Sequence, residues 1–197
     1  MKKVFYFLCV ILLACCKENP KPLLAENFSS TVTDYVKHVQ TQWYVVEFKN
    51  FKFKIPSHLK LVKNVSSSNK KVYRSKNDEI GLTIDISLLP EDYKNSEIGD
   101  IINNLDDFGT SITNENNRYF DDFKLINTKN SYLGNKKSVV VNQTSSKISE
   151  SNTTSMVNSH FVISSPYYMS VSFFYPKNSY NGKQLFDEIG ASFSFEN

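Results

Sequence analysis

From Trp43 onward, apolar positions recur every second residue in short runs, separated by turn-forming residues. Trp43–Phe48 and a second run from Phe51 to Ile55 flank Lys49-Asn50, which predicts a hairpin; Pro56 ends its second strand, because proline cannot donate to a ladder. Leu59 and Leu61 open another extended stretch, and Ser66-Ser67-Ser68-Asn69 is a loop. Residues 80–88 carry the clearest alternation. Ile80, Leu82, Ile84, Ile86 and Leu88 interleave with Gly81, Thr83, Asp85 and Ser87, a strand with one buried and one wet face, closed by Pro90. The period then changes. Ile98, Ile101, Ile102, Leu105 and Phe108 lie on one stripe of a 3.6-residue helix, which predicts a helix over residues 96–108 with Asn95 or Ser96 as cap and Gly109 as stop. Two strands follow around Gly134-Asn135, the second carrying Val139-Val140-Val141. Residues 156–163 and 167–175 form a long hairpin across Ser164-Ser165-Pro166. A second helix over 182–189, ended by Gly190, precedes a last strand with Ala191, Phe193 and Phe195. Strands in runs, interrupted by two amphipathic helices, predict an α+β fold: a mainly antiparallel β-sheet with helices packed on it.

The first 42 residues follow other rules. Lys2 and Lys3 precede an apolar stretch from Val4 to Ala14, too short to span a membrane, which needs about 20 apolar residues. Its end, Leu12-Leu13-Ala14-Cys15, resembles a bacterial lipobox. The expectation is that residues 1–14 are a lipoprotein signal peptide and that Cys15 is lipidated; the alternative is an ordinary cleaved signal that happens to contain cysteines. Cys15 is preferred over Cys16 because small Ala14 precedes it. Acyl chains, each buried methylene worth about 0.8 kcal/mol, would then hold the protein to a membrane. Residues 15–30, with Pro20, Pro22 and Ser29-Ser30, read as a polar tether spanning about 20 Å. Lys17-Glu18 fits either a surface-export tract or part of that tether. Val32, Tyr35, Val36, Val39 and Trp43 recur at helical spacing behind a Thr31–Asp34 capping box, which predicts a short helix over residues 31–42 before the domain at 43–197.

Composition narrows the function. Cutting 14 residues from 197 leaves 183, enough for one domain with a full core, and removes two lysines, so the net charge falls from +3 to +1. A near-neutral domain has no electrostatic footprint for nucleic acid. After Cys16 there is no cysteine, which excludes a disulfide framework and a thiolate metal site.

No residue constellation spells a reaction. His38, His58 and His160 are far apart and lack zinc-motif spacing. His58 reads as a solvated loop residue and His160 as a partly buried neighbour of Phe161. There is no Gly-x-Ser-x-Gly elbow and no phosphate loop. Asp107-Phe108-Gly109 matches a kinase magnesium motif in letters only and reads as a helix end. The pairs Glu91-Asp92, Asp106-Asp107 and Asp121-Asp122 lack calcium-loop spacing. Asp85 is buried and paired if a helix covers its face, and ordinary otherwise. Lys52 and Lys54 share one strand face, where they could meet anionic lipid or a polymer, or guard a sheet edge against aggregation. Tyr168 and Phe174 share the face opposite Met169 and Val171. Packed between layers they are core; uncovered, they are an apolar partner patch. Tyr168, Phe174, Lys52 and Lys54 form the candidate partner surface.

Three segments carry a family resemblance. Phe51-Lys52-Phe53-Lys54-Ile55-Pro56 resembles the opening strand of the PsbP-like α-β-α sandwich. The strand at 80–88 and the helix after it fit the next units. The ending, from the strand at 167–175 through Pro176 to Leu185-Phe186-Asp187-Glu188-Ile189-Gly190-Ala191-Ser192-Phe193-Ser194-Phe195, is similar to that superfamily's closure. With the lipobox and tether, the layout resembles the DcrB-like bacterial lipoproteins. Members of the superfamily are accessory or adaptor proteins: photosystem subunits, a Ran-binding protein, envelope lipoproteins and secretion chaperones. The resemblance implies a monomeric, non-catalytic binding module without cofactors. It would be fixed to the cell envelope, at the outer membrane, through its N-terminal lipid, with an envelope protein or polymer as partner. A hydrolase with an unrecognised site and an immunity or adhesion lipoprotein are the alternatives.

Overall fold

Ten strands and three α-helices build two antiparallel sheets in a computed structural model that describes residues 42–119, 122–148 and 153–196. The expected signal peptide, Cys15, the tether and nearly all of the short helix at 31–42 lie outside the described residues.

The smaller sheet is the hairpin β1 (Trp43–Phe48) and β2 (Phe51–Pro56), with β10 (Ser194–Phe195) on the other side of β2. Lys49 turns the hairpin at φ +60°, and the Asn50 amide donates to the Ser164 carbonyl (3.3 Å) and hydroxyl (3.1 Å) and the Ser165 carbonyl (3.1 Å). That side chain ties this turn to the turn of the long hairpin.

The larger sheet runs in the order β3 (Lys60–Leu61), β4 (Lys70–Arg74), β5 (Gly81–Leu88), β9 (Tyr167–Pro176), β8 (Ser155–Ser164), β7 (Lys136–Ser145), β6 (Lys124–Leu133). Strand β4 stands where the sequence pattern predicts none. Only Val72 and Tyr73 of Lys-Lys-Val-Tyr-Arg are apolar and buried, so no alternation is visible there.

Leu82, Ile84 and Ile86 of β5 and Met169, Val171 and Phe173 of β9 face the small sheet and α3 (Tyr180–Ala191), forming the main core with Phe51, Phe53, Phe193 and Ile189. Phe53 and Phe193 stack with centroids 4.7 Å apart. The opposite face packs Val139, Val141, Phe161 and Ile163 against α1 (Ile98–Ile101) and α2 (Leu105–Asn117). Layers of helix, sheet and helix-plus-sheet result.

The helix expected over residues 96–108 is two helices. Isoleucines at 101 and 102 and asparagines at 103 and 104 are mediocre helix formers, and Asn is better as a cap. Ile102 is extended, and the Asn104 Oδ1 accepts from the Asp106 (3.0 Å) and Asp107 (3.3 Å) amides. The five apolar residues of the stripe still share one cluster. Gly109 does not stop the helix. It is buried inside α2, and a Cβ there would stand 1.9 Å from the Thr128 Oγ1. The glycine lets α2 approach β6, so Asp107-Phe108-Gly109 runs from the first turn into the body of α2 instead of ending a helix. Gly190 likewise lies within α3, which starts at the Ser179 cap rather than at Gly182. Between α2 and β7 the fully buried Gln143 donates to Thr113 (2.7 Å) and accepts from Asn116 (3.0 Å).

Candidate functional site

Helix α3 packs against β9 and β2 beside the inner face of β8, β7 and β6, on which Val162, Val140 and Leu133 are buried and Asn142, Asn158 and His160 are partly open. The result is a groove of about 420 Å³ between α3 and the outer strands, within the size range of ligand pockets.

Strand pairing sets its floor. In β8 the groove-facing residues are Asn158 and His160, since Val157, Ser159 and Phe161 point to the other face. Asn158 stands opposite Asn142 of β7 and Phe173 of β9; His160 stands opposite Val140 and Val171. Asn142 in turn stands opposite Asn127 of β6. The Asn158 amide donates to Asn142, and the Asn142 amide donates to Asn127 at 2.6 Å, so three asparagines link three strands side by side. Lys129, Ser131 and Tyr132 of β6 form the outer rim, and Lys183, Asp187, Gly190 and Ala191 of α3 form the other wall. Lys183 and Asp187 pair one helical turn apart at 2.6 Å. Gly134 has φ +56°, a backbone region costly for L side chains, and a Cβ there would lie 1.7 Å from the Phe193 carbonyl oxygen. That turn and α3 touch where the Gly134 amide donates to the Gly190 carbonyl at 2.9 Å, which closes one end of the groove.

His160 is the group with the most altered chemistry. Burial holds its imidazole down at about 4; nearby Lys129 adds to the fall and Asp187 opposes it. Its Nδ1 lies 3.1 Å from the Ser138 hydroxyl. Serine and histidine in contact invite a nucleophile–base reading. The surroundings oppose it: Ser138 is 2 % exposed and out of a substrate's reach, and an imidazole of such low basicity is a poor proton acceptor near neutral pH.

The residues singled out from the sequence do not meet. Lys52 and Lys54 are exposed on β2, the middle strand of the small sheet, so they do not guard an edge. Tyr168 lies on the other face of the large sheet, packed with α1 and α2, its hydroxyl pushed up to about 12 by burial. Phe174 is 5 % exposed: the Arg74 guanidinium lies 4.1 Å above its ring, and Phe123 and Val157 surround it. Neither aromatic forms an open patch, because helices and Arg74 cover that face. Asp85 is exposed and faces Lys70 at 3.9 Å, an ordinary surface pair. His58 is half-buried rather than solvated, and burial, then Lys60, lower its pKa. Asp106 and Asp107 sit in the first turn of α2, where acids favour the helix dipole.

Among the described residues no cluster of three His, Cys, Asp or Glu side chains could hold a metal, and no helix is long and apolar enough to cross a membrane.

This architecture is similar to that of a solved structure, cyanobacterial PsbP (CyanoP) from Synechocystis. The TM-score is 0.59 at 16% identity, over 78% of this chain and 92% of that one. The fold is PsbP-like. Two further structures align at lower scores. The Ran-binding protein Mog1p of Saccharomyces cerevisiae has TM-score 0.49 and 9% identity, over 78% of this chain and 95% of its own. A protein from Bacteroides thetaiotaomicron has TM-score 0.48 and 11% identity, over 80% of this chain and 49% of its own. No protein family and no curated protein matches the sequence. The likeness to CyanoP is one of architecture, and the groove beside α3 has to be read from its own residues.

Proposed function

We propose that this protein is a lipid-anchored, monomeric component of the cell envelope, a DcrB-like lipoprotein of the outer membrane. Its PsbP-like domain holds an envelope protein or polymer in the groove beside α3 without turning it over. The groove carries the binding half of this reading. Its asparagines, serine, lysines and tyrosine are hydrogen-bonding groups lining a concavity of about 420 Å³, and its Ser–His contact is too buried and too weakly basic for nucleophilic catalysis. The lipobox-like Leu12-Leu13-Ala14-Cys15 supports the anchor.

Each half has its own test. Cys15→Ala should abolish palmitate labelling and signal processing, whereas Cys16→Ala should not; normal labelling of the Cys15 variant removes the anchor. A photocrosslinking residue in place of Ser131, which faces the groove at its rim, should capture an envelope component in intact cells. The same probe at Tyr119, 75% exposed beyond α2 on the far side of the sheet, should not. Equal capture at both positions removes the groove from the function.

A further inference from the structure

We propose that the groove binds an acidic sugar, the carboxylate-bearing pyranose ring of a uronic-acid glycan. This rests on the binding role just proposed and names the chemistry of its ligand. The lining supplies donors in excess. Lys183 is engaged by Asp187, but Lys129 takes part in none of the ion pairs found among the described residues. A cation on the rim is therefore left over for a single negative charge. Ser138 adds a second donor indirectly. Its buried hydroxyl lies 3.1 Å from the His160 Nδ1. With Ser138 as the donor in this contact, the neutral ring carries its proton on Nε2.

The asparagine row supplies the rest. Its amides all donate in one direction, from Asn158 through Asn142 to Asn127. Each link uses one N–H of the donor and one lone pair of the acceptor, and each amide keeps further donors or lone pairs. Groups that both donate and accept suit ring hydroxyls, which also do both. Across three neighbouring strands the row extends about 10 Å, the length of one to two pyranose rings. Phe173 and Val140 place apolar surface beside it, for the C–H face of a sugar.

Other ligands fit less well. Phosphate would call for the backbone-amide cradle of a glycine-rich loop, which this lining of strand and helix side chains lacks. An acyl chain would leave the asparagines unpaired on burial.

The test uses the full chain in detergent and follows the side-chain resonances of Asn142, Asn158 and His160 by NMR. Digalacturonate should shift all three. It should bind about tenfold more tightly than the neutral galactose disaccharide, the worth of one charge-assisted hydrogen bond. Lys129→Gln, at an exposed position, should leave the fold intact and erase that preference. Several results overturn the proposal: unmoved groove resonances, equal binding of the neutral disaccharide, equal shifts with acetate or inorganic phosphate, or a preference that survives Lys129→Gln. Capture at Ser131 with no response to digalacturonate would remove the sugar and leave the binding role standing; silence in both would remove both.

Discussion

Acidifying the protein should expose the cost of keeping His160 neutral. The imidazole is held at about 4 in the folded chain, against an ordinary value of 6.5, chiefly by burial under α3 and then by Lys129. As the pH falls below 6.5, the unfolded chain takes up a proton that the folded chain still refuses. Stability is therefore complete above about pH 6.5, falls as the pH drops towards 4, and levels off once both states are protonated. A shift from 6.5 to about 4 corresponds to about 3 kcal/mol at roughly 1.4 kcal/mol per pH unit. His160→Gln keeps a polar, hydrogen-bonding side chain beside Ser138 but cannot titrate. Urea unfolding of both proteins at pH 7.5 and pH 4 separates this site from every carboxylate they share. The natural protein should lose about 3 kcal/mol more than the variant, a midpoint difference of about 1.5 M at a slope of about 2 kcal/mol/M. Stability curves that run parallel in pH would refute the reasoning. So would a His160 ring signal titrating near 6.5.

Two further outcomes concern the fold. Gly109→Ala should destabilise by about 1–2 kcal/mol, since overpacking against Thr128 exceeds the gain of about 1 kcal/mol in helix propensity; in a Thr128→Ala background the same change should become neutral or favourable, and additivity in denaturant titrations would show that the contact is not tight. Ile84→Asp, at a position with 0 % exposure, should cost about 4 kcal/mol or more, and Thr83→Asp on the opposite, partly open face less than half of that; equal melting temperatures would mean that both faces of β5 are equally buried.

Local patterns made most of the architecture readable. Alternation at Leu82, Ile84 and Ile86 marks a strand whatever its partners, and the two-residue turn at Lys49-Asn50 joins strands that are neighbours in sequence. Leu88 kept the alternation yet is 75% exposed, because at the strand's end its partner is Tyr167 at a turn rather than the core. Of the two helix-stop readings, the one at Gly190 misses the end of α3 by one residue, while Gly109 answers to close packing against Thr128, distant in the chain. The groove was hidden for the same reason. Asn127, Asn142, Asn158 and His160 belong to three strands, and their common face follows only from the register. A signal did exist: Asn158 and His160 occupy alternate positions on the same strand face as Met156 and Val162, where a purely structural face would carry valine or isoleucine throughout. Reading His160 alone, beside Phe161, missed the partner two places away.

The small sheet has a consequence in time. Its third strand, β10, comes from residues 194 and 195 and lies against Lys52 and Phe51. Phe51 therefore waits for its aromatic neighbours Phe193 and Phe195 until residues 193–195 have emerged from the ribosome. Until then the hairpin of β1 and β2 has an unmatched flank and an uncovered row of phenylalanines. Pairings of such sequence separation form slowly. The small sheet is consequently completed only after every strand of the large sheet has been made.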